Sequence, residues 1–200
     1  NVQAMAWCQK AAAQGNAQAQ YNLGVMYDKG YGVAKNNTQA VVWYRQAATQ
    51  GYASAQNNLG IMYFHGQGVA KDEAQAAVWF QKAAEQGNAQ AQNSLGIMYG
   101  NGLGVVKDDA QAAVWFKKAA VQGNAEAQYN LGSMYGNGVG VAKDDMQAYA
   151  WSWAVAANGM ADAAQNRDVI AKHLTTVQFV EASMLGARYF ESYRPNATRD

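Results

Sequence analysis

The sequence predicts an all-α solenoid, a fold in which one helical unit is stacked many times. The first observation behind this prediction is a series of tryptophans that recur every 36 residues: Trp7, Trp43, Trp79, Trp115 and Trp151. The second is that most of the 20 glycines keep the same spacing. A fixed period of this size indicates a repeat architecture in which each unit contacts only its neighbours. No strand-like alternation of apolar and polar residues occurs in any repeat.

The first helix of each repeat is illustrated by Asn16–Lys29. Leu23, Met26 and Tyr27 lie at helical spacing in an Ala- and Gln-rich segment that favours helix. Gly30 follows directly and is typical of the residue that ends a helix. We therefore expect one amphipathic helix here, with a glycine-rich turn after it.

The second helix of each repeat opens with its own start signal, an Asp or Asn followed three residues later by Gln. These pairs are Asn36 and Gln39, Asp72 and Gln75, Asp108 and Gln111, and Asp144 and Gln147. They match a capping box. In the first full copy, Ala40, Trp43, Tyr44 and Ala47 form the predicted buried stripe, and Gly51 ends the helix.

The repeat period divides the chain into units of one solenoid domain. The predicted units are residues 1–14, 15–50, 51–86, 87–122, 123–158 and 159–194, followed by a polar tail at residues 195–200. The first is the second helix of a truncated repeat. Because the sequence does not begin with Met, we expect an upstream part, with which any signal peptide would be lost. The last unit departs from the repeat pattern and is predicted to cap the array.

The C-terminal end offers a second candidate surface. Trp153 replaces residues such as Arg45 and Lys117 on a helix face that is otherwise polar. We predict a terminal helix at about residues 176–192, which would cover Trp153 with Phe179, Met184, Leu185 and Phe190. The alternative is that a partner, or a second copy of the chain, covers this end.

Three motifs within each repeat resemble a known family. One copy reads Ala-x-Ala-Gln-x-x-Leu-Gly-x-Met-Tyr at 89–99, Gly-x-Gly-Val-x-Lys-Asp at 102–108 and Ala-x-x-Trp-Phe-x-x-Ala-Ala-x-Gln-Gly at 112–123. The pattern is similar to that of the Sel1-like repeats, which are related to tetratricopeptide repeats, and it covers nearly the whole chain. The resemblance implies a right-handed superhelix of antiparallel helix pairs whose concave face is built by the first helices. It also implies an adaptor that assembles protein complexes, often in bacterial signalling, envelope or host-interaction settings.

One face of the first helices varies between copies while the rest of each helix stays constant. At 100° per residue the varying positions form one continuous arc, and this arc is our predicted protein- or peptide-binding face. Its residues are Gln18, Tyr21, Asn22, Val25, Asp28, Asn57, Asn58, Ile61, Phe64, Asn93, Ile97, Glu126, Tyr129, Asn130 and Ser133. Amides at regular spacing are able to bond an extended peptide backbone, with aromatic rings gripping its side chains.

Two alternatives remain open for this variable face. The first is a face that is simply solvated, although its apolar content is high for a solvated face. It could also bind a glycan or a cell-wall fragment, with the amides on sugar hydroxyls and the tyrosines stacked on the rings.

The remaining features exclude several classes of function. A net charge of +1 provides no basic field for nucleic acid, and no apolar run is long enough to cross a membrane. The Gly-x-Gly pairs follow helices, not strands, so no dinucleotide cofactor is expected. His65, His173 and Cys8 have no partners at metal-ligand or catalytic spacing. We therefore expect no enzyme, cofactor or metal. The low Lys and Glu content and abundant Asn and Gln favour a bacterial periplasmic or secreted protein.

Overall fold

The computed structural model describes the chain from residue 2 to residue 193, so the predicted tail at 195–200 lies outside the described residues. Over this range the chain forms eleven α-helices and no strand. The helices are α1 Val2–Ala13, α2 Ala17–Lys29, α3 Asn37–Thr49, α4 Ala53–His65, α5 Glu73–Glu85, α6 Ala89–Asn101, α7 Asp109–Ala120, α8 Ala125–Asn137, α9 Asp145–Ala157, α10 Ala161–Ala171 and α11 Thr176–Tyr193. The all-α prediction is confirmed.

The helices fall into two compact units. The first comprises the chain up to Ala91 together with Leu103–Val106, and the second comprises Gln92–Gly102 and the chain from Lys107 onward. In the first unit α2 packs against α3 and α4 against α5, while in the second α8 packs against α9. In these pairs each first helix lies against the second helix that follows it in sequence, whereas α10 and α11 both pack against α9.

The second helices begin where their caps predict. The side-chain oxygens of Asn36, Asp72, Asp108 and Asp144 accept the backbone N–H three residues later, at 2.9–3.0 Å. The N–H of each capping residue donates to the carbonyl of a tyrosine in the preceding helix, as Asp72 does to Tyr63 at 3.0 Å. A backbone bond thus takes the place of the reciprocal glutamine contact of a capping box, and it ties the turn to the helix before it.

The two glycines of each turn have different roles. Gly30 adopts the left-handed conformation (φ 74°) and its N–H donates to the carbonyl of Met26, which closes α2. Gly68, also at positive φ, lies so close to the backbone of Asn37 at the start of α3 that a Cβ atom would clash with it. The first glycine ends a helix, and the second lets the turn pack against the preceding repeat.

The core is a constant frame repeated along the chain. Leu23, Leu59, Leu95 and Leu131 are each 0–1% exposed. An aromatic ring from the second helix lies directly on a glycine of the first helix: Tyr44 on Gly24, Phe80 on Gly60 and Phe116 on Gly96. A Cβ atom at those glycines would lie 2.4–2.8 Å from the ring, so the small residue permits the close approach of the two helices.

Buried glutamines link neighbouring helices through a repeated set of hydrogen bonds. Gln56, which is 4% exposed, donates to the carbonyl of Ala48 at 3.1 Å and accepts from Gln86 at 2.7 Å. Gln20 makes the same two bonds, to Ala12 and from Gln50. These bonds satisfy polar groups that would be costly to bury alone, and we refer to them as the glutamine ladder.

The C-terminal helix α11 covers α9. Trp153 meets the ring of Phe190 edge-on, with centroids 6.1 Å apart, and Gly186 lies against its Cβ atom. The predicted cover of Trp153 is corrected at two residues, since Met184 is 70% exposed and Phe179 lies on a different ring. Phe179 packs on Tyr149 at 5.4 Å, because its position on α11 is two helical turns before Gly186.

Candidate functional site

The first unit contains a cavity of about 260 Å³ between α2 and α4, above α3. Five residues of the predicted variable face line it: Tyr21, Val25, Asp28, Asn58 and Ile61. The cavity is completed by Lys29, Tyr44, Met62 and Gln67. We call this the first cavity.

Two charged side chains line the first cavity, and they form an ion pair. Lys29 Nζ is 2.9 Å from the Asp28 carboxylate, whose side chain is only 14% exposed, against 57% for Lys29. Asp28 raises the pKa of Lys29, first through this hydrogen bond and then through its charge. The pair is an ion pair with a sheltered anion and a mobile, solvated cation.

Tyr44 is fully buried beneath the first cavity, and its ring lies 5.9 Å from that of Tyr21. Burial raises the pKa of its hydroxyl well above the ordinary value; nearby Asn58 lowers it and Asp28 raises it further. Within the described residues, that hydroxyl makes no hydrogen bond of acceptable geometry. A buried hydroxyl without a partner destabilises a fold by about 1–3 kcal/mol, and Tyr44 shares this feature with other buried polar side chains of the described residues, such as Trp79 and Trp115.

The second unit contains an equivalent cavity of about 230 Å³ between α6 and α8, above α7. Three residues of the variable face line it, namely Ile97, Asn130 and Ser133. We call it the second cavity, and its residues correspond to those of the first cavity two repeats earlier. Phe116 takes the place of Tyr44, Gly100 that of Asp28 and Asn101 that of Lys29. Asp109, at the start of α7, is the one charged side chain that lines it.

Two residues of the predicted face are corrected by the structure. Asn57 and Asn93 are 7% and 3% exposed, so neither is available to a partner as a surface residue. Asn93 donates to the carboxylate of Glu126 on α8 at 2.9 Å, and Asn57 donates to Asn58 at 3.2 Å. At Asn93 this edge of the arc is turned towards α8, which a helical wheel of a single helix does not reveal.

The other predicted face residues lie outside both cavities. Gln18 is exposed and accepts a hydrogen bond from Tyr52 at 2.8 Å. Phe64 is half-buried and meets His65 edge-on at 5.1 Å. Asn22 and Tyr129 are half-buried, and Glu126 is exposed. The structure therefore gathers eight of the fifteen residues at two places and leaves these five around them.

The sequence interpretation missed Tyr44 and Lys29 as cavity residues. Tyr44 was assigned only to the buried stripe of its helix, yet the pattern held a signal, because Phe80 and Phe116 occupy the same position in later copies. A hydroxyl added at one core position of a repeat is a departure that packing does not explain.

The structure also explains the lysines of the second helices, since Lys82 and Lys118 lie 4.5 and 4.0 Å over the rings of Trp79 and Trp115.

Neither catalytic metal chemistry nor membrane insertion has a candidate among residues 2–193. That range contains no group of three or more His, Cys, Asp and Glu side chains able to hold a metal ion. None of its helices is both long enough and apolar enough to span a bilayer.

The Sel1 repeat family matches residues 1–16, 17–52, 53–88, 89–124 and 125–152, which is well over half of the chain. The protein belongs to the Sel1 repeat family. The resemblance in the sequence motifs is thereby confirmed. Sel1 repeat proteins generally mediate protein–protein interactions and are generally non-enzymatic scaffolds.

Solved structures of bacterial Sel1 repeat proteins are similar to this chain. A protective antigen of uropathogenic Escherichia coli with an SLR fold is 44% identical (TM-score 0.89), over 98% of this chain and 42% of the antigen. A Sel1 repeat protein from Oxalobacter formigenes is 42% identical (TM-score 0.75), over 82% of this chain and 48% of its own. The chain thus spans less than half the length of these two Sel1 repeat relatives. No curated protein matches it significantly.

Proposed function

We propose that the variable face binds a protein or peptide partner and that the protein works as a non-enzymatic scaffold. The observation that carries this proposal is the pair of equivalent cavities, each lined by residues that change between repeats above a frame that does not change. A face that served only solvation would need no cavity at the same place in both units. Adaptors of this family bind protein partners in general.

The experiment is an affinity capture that compares the wild-type protein with a face variant. Val25→Ser and Ile61→Ser alter the first cavity, and Ile97→Ser alters the second, without removing any fully buried side chain. Extracts of the cell envelope and the cytosol would both be used, since the relative from Escherichia coli is a protective antigen. We expect a protein that the wild type captures to be lost, or reduced at least about tenfold, with the variant.

The matched control is a second variant with the same kind of change elsewhere. Val42→Ser, Val78→Ser and Val114→Ser remove exposed valines from the second helices, where each side chain is 43–47% exposed. This control should capture the same protein as the wild type. Equal loss in both variants, or equal capture by all three proteins, would contradict the proposed face.

Two further arms separate the alternatives. Material that the protein still captures after protease treatment of the extract, but no longer captures after removal of glycans, would be a glycan ligand. Such a ligand would use the amides Asn58 and Asn130 and the tyrosine rings. Sedimentation of the purified protein alone would detect self-association through the Trp153 end. Either result would replace a protein partner as the function of this chain.

A further inference from the structure

We propose that the first cavity binds the side chain of an arginine residue in an extended segment of the partner, with the guanidinium on Asp28 and Tyr44. This inference rests on the proposed function, since it names what one part of the variable face selects. It is carried by the charge, the burial and the size of the cavity, and by the way it departs from the repeat.

Size limits the occupant to a single side chain. The cavity of about 260 Å³ is smaller than the roughly 300–1,000 Å³ that sites for whole small molecules occupy. Its walls are the apolar side chains of Val25, Ile61 and Met62, with the ring of Tyr21 beside them. These surfaces suit the methylene groups of a long side chain, and the ring suits a cation.

Charge selects a cation over an anion. The Asp28 carboxylate is sheltered by protein, whereas its partner Lys29 is largely in solvent. Ion pairs with a solvent-exposed partner are weak, and Lys29 is 57% exposed, so a partner's cation is able to displace the lysine at little cost. An anion in the same place would lie beside the carboxylate and would depend on the mobile lysine alone.

The hydroxyl of Tyr44 explains why arginine fits better than the resident lysine. A guanidinium has five N–H donors in a planar fork, so it is able to bond a carboxylate and a second oxygen at once. In the described structure Lys29 bonds Asp28, while the Tyr44 hydroxyl has no partner. Arginine would satisfy both groups.

The other repeats show that the fold does not need this hydroxyl. The rings of Phe80 and Phe116 lie on Gly60 and Gly96 as the ring of Tyr44 lies on Gly24. In the second cavity the position of Asp28 is Gly100 and that of Lys29 is Asn101. Asp28, Lys29 and Tyr44 therefore occur together in a single copy, above the frame that all copies share.

The test uses the pentapeptide acetyl-Gly-Gly-Arg-Gly-Gly-amide as the probe, with Gln or Glu in place of Arg as comparisons. Binding would be followed by NMR through the side-chain amide of Asn58, which lines the first cavity. We expect the arginine peptide to bind at least about tenfold more tightly than the glutamine peptide. Asp28→Asn should remove this preference, and Tyr44→Phe, which restores the residue of other repeats, should weaken binding about threefold.

Lys29→Gln is the most informative variant, because its effect on peptide binding should be opposite to that of Asp28→Asn. Removing the competing lysine should strengthen binding of the arginine peptide about threefold. Asn101→Ala, at the equivalent position of the second cavity, is the matched control and should change nothing.

The outcomes that would overturn the inference are distinct. Preference for the glutamate peptide, or loss of binding in Lys29→Gln, would make the cavity an anion site. Equal affinity for the arginine and glutamine peptides would remove the selectivity and leave a peptide-binding face in place. No shift of Asn58 with any peptide would also reject the inference, while the capture experiment with the cavity variants reports independently on the proposed function.

Discussion

The first and second cavities show how a repeat protein changes the lining of one cavity while it keeps the rest of the repeat. Both lie between successive first helices and above a ring that rests on a glycine. In the first cavity that ring is Tyr44 and a sheltered Asp28 faces Lys29, whereas the second has Phe116 and Gly100. The first cavity thus holds a paired anion and cation above a tyrosine hydroxyl, whereas Asp109 is the one charged side chain that lines the second.

The comparison teaches that stability and specificity are carried by different positions of the repeat. The leucines and glycines that set the spacing of the helices are the same in both cavities. The positions that differ line the opening of each cavity or, at Tyr44, add one hydroxyl group to the ring beneath it. Binding preferences should therefore be exchangeable between the two cavities. Truncation of a buried leucine should lower the free energy of unfolding by the same amount in both units.

The largest expected effect concerns the frame. Leu59→Ala in the first unit and Leu131→Ala in the second remove side chains that are 0% and 1% exposed. Each should lower the free energy of unfolding by about 2–5 kcal/mol, because a cavity is left in a close-packed core. Guanidinium unfolding followed by circular dichroism would measure the loss.

The control for this pair is a truncation at the surface of each unit. Val78→Ala and Val114→Ala, at positions 46% and 47% exposed, should change the free energy by no more than about 0.5 kcal/mol. If Leu59→Ala and Leu131→Ala differed as much from one another as either does from its surface control, the two units would not share one frame.

The next effect concerns the ring under each cavity. Tyr44→Phe removes a buried hydroxyl that has no partner within residues 2–193, so it should raise the free energy of unfolding by about 1 kcal/mol. Phe116→Tyr should lower it by a similar amount, because it places a hydroxyl where the first cavity has one. The midpoint and slope of urea unfolding would be compared for both variants.

A tyrosine that stabilises the free protein would contradict the interpretation of Tyr44. If Tyr44→Phe lowered the free energy of unfolding, the hydroxyl would be part of the folding core, not a group kept for a ligand. Phe80→Tyr, in the copy between the two, serves as a reference for the same change at a ring that is 2% exposed.

An exchange of specificity is a direct way to sharpen the comparison. Gly100→Asp with Phe116→Tyr gives the second cavity the anion and the hydroxyl of the first. A Cβ atom at Gly100 would lie 3.7 Å from the Cβ atom of Ala112, an ordinary contact, so the aspartate is accommodated. The arginine pentapeptide should then bind there about tenfold more tightly than to the wild type, seen at the side-chain amide of Asn130.

Gly100→Asn with Phe116→Tyr is the matched control for this exchange, since it differs only in the charge. It should bind the arginine peptide no better than the wild type does. Tighter binding with the asparagine as well would show that cavity shape, not the anion, sets the preference.

Helix bounds were predictable from the sequence because their causes are local. Asn16 and Asp72 cap helices through their own side chains, and Gly30 ends one by its positive φ. Such contacts span three or four residues and leave a mark in the sequence. These capping and turn residues recur at the 36-residue period, so the all-α fold of helix pairs followed from composition and spacing.

The candidate site was only partly predictable because it depends on contacts between helices. Asn57 and Asn93 lie on the exposed arc of an isolated helix, but both are buried in the structure, and Asn93 is bonded to Glu126 of α8. Tyr44 belongs to a buried stripe, and only the arrangement of α2 and α4 above it makes it the floor of a cavity. The glutamines of the ladder recur every 36 residues. This period identifies them as structural residues when polar positions, as well as apolar ones, are compared between repeats.

The smallest expected effect concerns the two ends of the glutamine ladder. Gln86 donates to Gln56 in the first unit and Gln122 donates to Gln92 in the second, both at 2.7 Å, but at the last position of this series the equivalent residue is Asn158. Asn158 donates only to the carbonyl of Ala154, and the side-chain oxygen of Gln128 is buried without a partner among the described residues. Asn158→Gln should restore the bond and raise the free energy of unfolding by about 0.5–1.5 kcal/mol.

The reciprocal change should have the opposite sign, which separates the hydrogen bond from the rest of the side chain. Gln86→Asn shortens the donor in the first unit, leaves the oxygen of Gln56 unsatisfied and should lower the free energy of unfolding by a similar amount. In the double variant the two changes should nearly cancel, because the sites share no residue. Stabilisation by both single changes would contradict a stabilising role for the ladder bond, because one change adds that bond and the other removes it.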